Sequence, residues 1–438
     1  MSIWPIFNSI YGYARTIFFA LTASSATIGG GFMTYKVIQS DTVFIERIKV
    51  PSAFEELGFS SEIVTDRLID HVIFLNNRTP SAKDRSKFAD SKIDLDKLDA
   101  NVAGFSLKEF VATIGEFFGK KIKKISGEIT LIKEGDKIIY KIKLRQTPER
   151  TILVDFQDEI TPDAFIQKIA LKLIEKTDPH VAAALYQGAF RDKVNAYRMI
   201  DVVLSDDNIQ SHKYSLNLRS QIYLNEGRTG DALNDLRRSL EIDPNFSATH
   251  ANMSSYYQSI KDIEKAEEES DVSIKLDPSK PYGYVQKGRI LRDRKDLDNA
   301  VIYFKKGIDA DPYFYPAYNL IALTYLTQNK LDEASKWLIK GVKIRPEFPY
   351  FYYNYGKILT KQFRHYEALI QYQNAINIDF DNHEFLIAII ECYDILKMHS
   401  QKEAFINKLH AYFDSGLYAS SIVNEKAVEI FLKLNMKK

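Results

Sequence analysis

The sequence predicts a mainly α-helical protein in three parts: an N-terminal membrane anchor (residues 1–38), a small α+β domain (43–177) and a helical solenoid (179–416). Three observations support this prediction. There is a long run without charged residues near the N-terminus, a stretch whose apolar period switches between 2 and 3.6 residues, and a 34-residue repeat in the second half. A last amphipathic stretch, 418–435, is predicted to form a helix that caps the open end of the solenoid.

The composition is that of a globular protein without a dominant charge. Of the 438 residues, 45% are apolar and 27% are charged, and 59 basic side chains balance 58 acidic ones. Because no whole-molecule field draws the chain to a polyanion, we expect no nucleic-acid partner. The single cysteine, Cys392, excludes an intramolecular disulfide and a cysteine-rich metal site.

The N-terminal anchor is predicted from residues 16–35, which carry no charge. As a helix they would be about 30 Å long, the thickness of the hydrocarbon core of a bilayer. A signal peptide cleaved near residues 24–26 would also explain the apolar run, although its usual basic n-region is missing. The flanking charges Arg15 and Lys36 leave open on which side of the membrane the soluble part lies.

The α+β domain is predicted from alternating patterns. Residues 43–50 read as a strand, and a meander of three strands lies between residues 127 and 156. Amphipathic helices follow the first strand, precede Gly119 and begin at the N-cap Thr161. Eight lysines between residues 120 and 143 fit either a patch for an anionic membrane surface or a solvated sheet face.

No motif of catalysis stands out in the chain. It has no glycine-rich phosphate loop after a strand, no HExxH or CxxC motif, and its eight histidines are scattered. We therefore predict no catalytic residue, no cofactor and no metal site, and expect that the protein is not an enzyme.

The 34-residue repeat is marked by two series of residues. Asp-Pro or Arg-Pro pairs begin at Asp243, Asp277, Asp311 and Arg345, and alanines recur at Ala232, Ala266, Ala300, Ala334 and Ala368. Each repeat also has a small residue on its first helix, as at Gly288 and Gly356. Because two antiparallel helices approach closely only where a small side chain faces a large one, this pattern predicts stacked helix pairs.

The pattern resembles the tetratricopeptide repeat (TPR). The regular repeats are 213–246, 247–280, 281–314, 315–348 and 349–382, with a divergent pair at each end. The resemblance implies a solenoid whose first helices line a concave groove for a protein or peptide. Residues 50–68 look like the corresponding junction of bacterial membrane-anchored TPR proteins, which implies a single-pass protein of the bacterial inner membrane.

The groove is predicted from helical geometry. On each first helix, positions 2, 5, 9 and 12 of the 34-residue repeat lie opposite the positions used in packing. They give Tyr214, Asn217, Gln221, Tyr282, Arg289, Arg292, Asn319, Tyr350, Tyr353 and Lys357. The alternative is that the tyrosines fill gaps between neighbouring helices. The basic clamp with which some TPR relatives hold a C-terminal carboxylate is incomplete in the third repeat.

Together these features predict a membrane-anchored TPR scaffold that binds a protein or peptide partner in its groove. Two alternatives remain at this point. One is a regulatory or accessory subunit of an envelope enzyme, whose α+β domain binds a small ligand. The other is a protein-import receptor, which shares the order of anchor and repeats.

Overall fold

A computed structural model describes residues 43–77, 123–135, 137–147, 149–188, 192–379 and 382–414. The chain forms two compact units that divide between Arg191 and Asp192. The predicted membrane segment 16–35, the helix before Gly119 and the capping segment 418–435 lie outside the described residues. Within the part of the chain that is described, no helix is both long and apolar enough to cross a membrane.

The first unit combines a sheet with helices. Its elements are β1 (Val43–Ile45), α1 (Ser52–Glu56), α2 (Ser61–Asn77), β2 (Lys123–Glu134), β3 (Lys137–Thr147), β4 (Thr151–Asp158), α3 (Pro162–Thr177) and α4 (Pro179–Gly188). The sheet order is β1-β2-β3-β4, with β1 parallel to β2 and the other neighbours antiparallel. The predicted meander is therefore present.

One face of this sheet is buried, as the alternating pattern predicts. Ile142 and Leu144 are 0% exposed, while the intervening lysines of β3 are half-buried on the other face. The ring of Tyr140 lies 5.1 Å from that of Phe54 and 5.6 Å from that of Phe165 on α3. The helices thus close the core over the strands.

The first unit extends farther along the chain than the predicted boundary at 177. Helix α4 belongs to it because α4 packs on α3. The hydroxyl of Tyr186 on α4 donates a hydrogen bond to the carboxylate of Glu175 on α3, and Glu175 is only 7% exposed. The predicted start of the solenoid at 179 therefore falls inside the first unit.

The second unit is a series of antiparallel helix pairs. Its helices are α5 (Lys193–Leu204), α6 (Ile209–Asn225), α7 (Thr229–Ile242), α8 (Ser247–Ser259), α9 (Ile263–Leu276), α10 (Tyr282–Asp293), α11 (Leu297–Ala310), α12 (Tyr315–Thr327), α13 (Leu331–Ile344), α14 (Pro349–Lys361), α15 (His365–Ile378), α16 (His383–Ile395) and α17 (His399–Asp414). From α7 to α15, each second helix begins and ends 34 residues after the previous one. Helix α6 begins four residues before the predicted repeat boundary at 213, where no Asp-Pro pair precedes it.

Small residues set the spacing between these helices. The five recurrent alanines are all 0% exposed. A Cβ atom on Gly356 would lie 2.4 Å from the ring of Tyr372, and one on Gly341 would lie 2.4 Å from the ring of Phe351. Aromatic rings therefore fill the space next to these glycines, as the pairing of small with large residues in the sequence predicts.

The turn inside each helix pair repeats one backbone conformation. The middle one of its three residues has a positive φ in every pair from α6 to α17: Gly227, Lys261, Lys295, Asn329, Phe363 and Lys397. A positive φ is uncommon for residues with a Cβ and is an outlier for a bulky one. Phe363, with a φ of 61°, is therefore the most strained of these residues.

We expect the change Phe363→Asn to raise the free energy of unfolding by about 0.5 to 1 kcal/mol. The ring is 83% exposed and contributes little burial, whereas asparagine tolerates the left-handed conformation, as Asn329 does one repeat earlier. Urea unfolding of the full-length protein measures the change. A lower stability of the variant would contradict this reading of the turn.

Candidate binding groove on the first helices

Helix α10 shows how a first helix divides its surface. One side faces α9, where a Cβ on Gly283 would lie 2.8 Å from Ile274 and the ammonium of Lys287 lies 2.7 Å from Asp271. A second side faces α11, where a Cβ on Gly288 would lie 2.6 Å from the ring of Phe304. Gln286 and Arg289 lie on the third side, which the solenoid presents to its groove.

Arg289 and Arg292 are half-buried, yet neither has a hydrogen bond or ion pair with any described residue. In the second unit as described, all other buried or half-buried lysines and arginines are engaged. Carboxylates hold five of them, Lys213, Arg219, Lys287, Arg345 and Lys402, and Lys280 also has a partner. Two uncompensated guanidinium groups three residues apart are therefore peculiar to α10.

The electrostatic environment of Arg289 disfavours its charge. Burial lowers the pKa of Arg289, and the positive charge of Arg292 lowers it further. Asp293 acts in the opposite direction, but its carboxylate already accepts a hydrogen bond from Gln258. A group buried without a partner is the costly arrangement that an incoming anion would relieve.

A third polar group on this side of α10 is also unsatisfied. The side-chain oxygen of Gln286 is buried and accepts no hydrogen bond from the described residues. The same position holds Asn252 in the second repeat and Asn354 in the fifth. Both asparagines have partners in the preceding repeat, whereas the corresponding residue before Gln286 is Ala251.

The amide side chains predicted to line the groove form hydrogen bonds between successive repeats. Asn217 is 4% exposed, accepts a hydrogen bond of 2.9 Å from Asn252 and donates one of 2.7 Å to Thr249. Gln221 is exposed and donates to Asn252 over 2.9 Å, and Asn319 accepts from Asn354 over 2.8 Å. Because these amides are satisfied within the chain, their main role is to hold successive repeats in register.

Removal of Asn252 tests this role. The change Asn252→Ala leaves the buried carbonyl of Asn217 without that donor and should lower the free energy of unfolding by about 1 to 3 kcal/mol. Urea unfolding measures the loss, with the exposed Gln221→Ala as the matched variant, which should lose less. Equal losses of stability in the two variants would mean that the buried hydrogen bond contributes no more than the exposed one.

The predicted groove tyrosines pack on aromatic rings about one repeat later in the sequence. Ring centroids lie 5.2 Å apart for Tyr214 and Phe246, and 5.7 Å apart for Tyr282 and Phe314. Tyr350 and Tyr353 lie 5.3 and 4.9 Å from Phe385. These contacts support the alternative that the tyrosines fill gaps between neighbouring helices, although each ring is only half-buried.

Lys357 lies near the C-terminal end of the groove and is exposed. Its ammonium is 5.4 Å from the centroid of the Tyr353 ring. Burial raises the pKa of Tyr353, and the carboxylates Glu384 and Glu391 raise it further. Two carboxylates and one ammonium therefore lie near Tyr353, in contrast to the two arginines of α10.

A metal site is not evident in this unit or in the first one. Among the described residues, no group of three or more histidine, cysteine, aspartate or glutamate side chains is placed to hold a metal ion. Cys392 is 2% exposed, and burial raises the pKa of its thiol to about 11.

Comparison with protein families identifies the repeats. The tetratricopeptide repeat model matches residues 214–246, 281–314, 315–348 and 349–382. These are four of the five predicted regular repeats, and 247–280 forms the same kind of helix pair as α8 and α9. The chain therefore carries tetratricopeptide repeats, which serve protein–protein interaction.

One curated relative and several solved structures are similar to the chain. The relative, the BBSome complex member BBS4 homolog of Drosophila melanogaster, is 24% identical over 188 residues, or 43% of this chain and 38% of that protein. The match thus spans less than half of the relative's length.

Three of the solved structures are similar to parts of the chain. PilF of Pseudomonas aeruginosa is 18% identical, covers 53% of this chain and 99% of its own, and has a TM-score of 0.39. PilW, a type IV pilus biogenesis factor, is 17% identical, covers 51% of this chain and 100% of its own, and also has a TM-score of 0.39. YrrB, a TPR protein with an unusual peptide-binding site, is 16% identical, covers 44% and 96%, and has a TM-score of 0.29.

Proposed function

We propose that this protein is a membrane-anchored, non-catalytic TPR scaffold that holds an acidic, extended segment of a partner protein in the groove at α10. The observation that carries the proposal is the pair of half-buried, unpaired guanidinium groups of Arg289 and Arg292. A carboxylate of the partner would supply the compensation that carboxylates of the second unit give to Lys213, Arg219, Lys287, Arg345 and Lys402.

The chemistry of arginine favours a carboxylate over a neutral group. A guanidinium presents its donors in a planar fork that matches two carboxylate oxygens. Gln286 lies one helical turn away, and rotation of its side chain toward the groove would let its unsatisfied oxygen accept a backbone N–H of the same segment. The partner is therefore expected to place an aspartate, a glutamate or its C-terminal carboxylate over α10 in an extended conformation.

The membrane part of the proposal rests on the sequence. Residues 16–35 are free of charge and have the length of a bilayer-spanning helix. The likeness of residues 50–68 to bacterial membrane-anchored TPR proteins supports a location in the bacterial inner membrane. The scaffold would then hold its partner next to the bilayer.

A peptide selection tests the proposal. Full-length protein in nanodiscs is offered a library of random peptides, and bound sequences are expected to be rich in aspartate and glutamate. Their affinity should fall as salt is raised, because ions screen the charged contacts. Selection of neutral or basic sequences, or binding insensitive to salt, would contradict the acidic partner.

A further inference from the structure

The turn and second helix of the fifth repeat carry three large apolar side chains in water. Phe363, Tyr366 and Ile370 are 83%, 63% and 53% exposed. The residues at the Phe363 position in the other pairs are glycine, asparagine or lysine. At the Tyr366 position the first four repeats have Gly230, Glu264, Asp298 and Asp332.

Packing within the protein does not explain why the fifth repeat differs from the others at these positions. The ring of Phe363 gains little burial and sits on a backbone conformation that disfavours bulky residues. Stability alone would favour asparagine or glycine there, as in the other repeats. A protruding aromatic side chain kept at such a site indicates contact with something outside the chain.

The charge of the surrounding edge indicates what that contact is. The turns within the helix pairs lie on one edge of the solenoid. In the last three pairs, residues 327–330, 361–364 and 395–398 include four cations and no carboxylate. In the first three repeats, residues 225–228, 259–262 and 293–296 include four cations and four carboxylates.

Two of the four cations in the last three turns are available to an external anion. Lys361 and Lys397 are exposed, and neither makes an ion pair with a described residue. Lys330 lies 3.8 Å from Asp298, and Arg364 is bonded to Glu367.

We infer that this edge patch, formed by Phe363, Tyr366, Ile370, Lys361 and Lys397, docks on the surface of an anionic lipid bilayer. The apolar side chains would enter the boundary between headgroups and acyl chains, where tyrosine is also favoured. The two lysines would lie among the anionic headgroups. Docking would orient the groove relative to the membrane.

The bilayer is favoured over a protein partner by the shape and charge of the patch. Its most exposed member lies in a turn, and residues 327–330, 361–364 and 395–398 of three successive turns contain cations and no carboxylate. A tether through the predicted segment 16–35 would raise the effective concentration of the patch at the membrane. This tether rests on the proposed function, whereas the patch itself does not.

A fluorescent probe on the patch tests the inference. Full-length protein carrying Tyr366→Cys is labelled with an environment-sensitive dye and placed in nanodiscs of phosphatidylcholine, with or without phosphatidylserine. Cys392 is buried and does not compete for the label. The matched variant is Glu264→Cys, at the same position of the second repeat. We expect a blue shift and a brighter signal from residue 366 with phosphatidylserine and no change from residue 264.

Adding Phe363→Asn to the labelled protein should weaken docking about tenfold, because transfer of one phenyl ring from water contributes at least that factor. Identical signals from the two labelled positions would overturn the inference. So would a signal that requires a soluble protein or a second copy instead of phosphatidylserine. If the protein fails to enter nanodiscs, the anchor is wrong, and the same variants added to preformed vesicles test the patch alone.

Discussion

Changing Arg289 and Arg292 together to glutamine is expected to weaken capture of the acidic partner about a hundredfold, which corresponds to about 2.7 kcal/mol. Hydrogen bonds to charged groups contribute about 1.5 to 3 kcal/mol each, and both guanidinium groups would lose their charge. Neither side chain has a polar partner among the described residues, so the change breaks no ion pair of the fold. The free energy of unfolding should stay nearly constant.

The measurement is the affinity of the full-length protein for an acidic peptide from the selection, read by fluorescence anisotropy. The matched control is Lys305→Gln with Lys306→Gln, which removes the same charge from the exposed side of α11. This control should bind almost normally. An equal loss in both double variants would mean that net charge, not the position on α10, governs binding.

The second large effect is expected from Phe351→Ala, which should lower the free energy of unfolding by about 3 to 5 kcal/mol. Phe351 is 0% exposed and lies between the fourth and fifth repeats, against Gly341 and 5.0 Å from the ring of Phe348. Because a repeat array is stabilised by contacts between neighbouring repeats, the loss should uncouple α14 and the helices after it from the rest.

Hydrogen exchange of the full-length protein can locate this uncoupling. Amides after residue 349 should exchange faster in the Phe351→Ala variant, while those of the first repeats keep their protection. Phe363→Asn is the matched control, since it removes a phenylalanine of the same repeat that is exposed. Uniform loss of protection along the chain would instead mean that the repeats unfold as one unit.

The repeats could be predicted because their signals are local and recur. All five alanines of the 34-residue series are buried between helices, so one repeat register accounts for all of them. The strand β3 could also be predicted from a local pattern, because its apolar residues alternate and Ile142 and Leu144 share one buried face. The boundary of the first unit could not be predicted in this way. It depends on a hydrogen bond between Glu175 and Tyr186, and no periodic pattern in the sequence indicates that contact.

The groove was harder to predict for a physical reason. Helical geometry gives the side of a helix, but whether an amide on that side is available depends on the next repeat. Asn217 is engaged because Asn252 stands one position later in its repeat, and Asn319 is engaged by Asn354 in the same way. The recurrence of Asn252, Gln286 and Asn354 at position 6 was the signal that could have revealed this.

The same comparison isolates the residues that stay candidates for binding. Arg289 and Arg292 were predicted from position alone, and their lack of partners could be seen only once α9 and α11 were in place. Gln286 was missed because position 6 was not among the positions assigned to the groove. The tyrosines were also assigned to the groove from their position in the repeat, yet their rings contact Phe246, Phe314 and Phe385.

Site-specific cross-linking in living cells tests the binding groove most directly. The photoreactive residue p-benzoylphenylalanine replaces Ser255, which precedes Arg289 by one repeat at the same groove position, or Tyr303 on the second helix α11. We expect an adduct with a partner protein from residue 255 that disappears when Arg289 and Arg292 are changed to glutamine. An adduct from residue 303 alone, or one from residue 255 that survives loss of both arginines, would contradict a partner held in the groove.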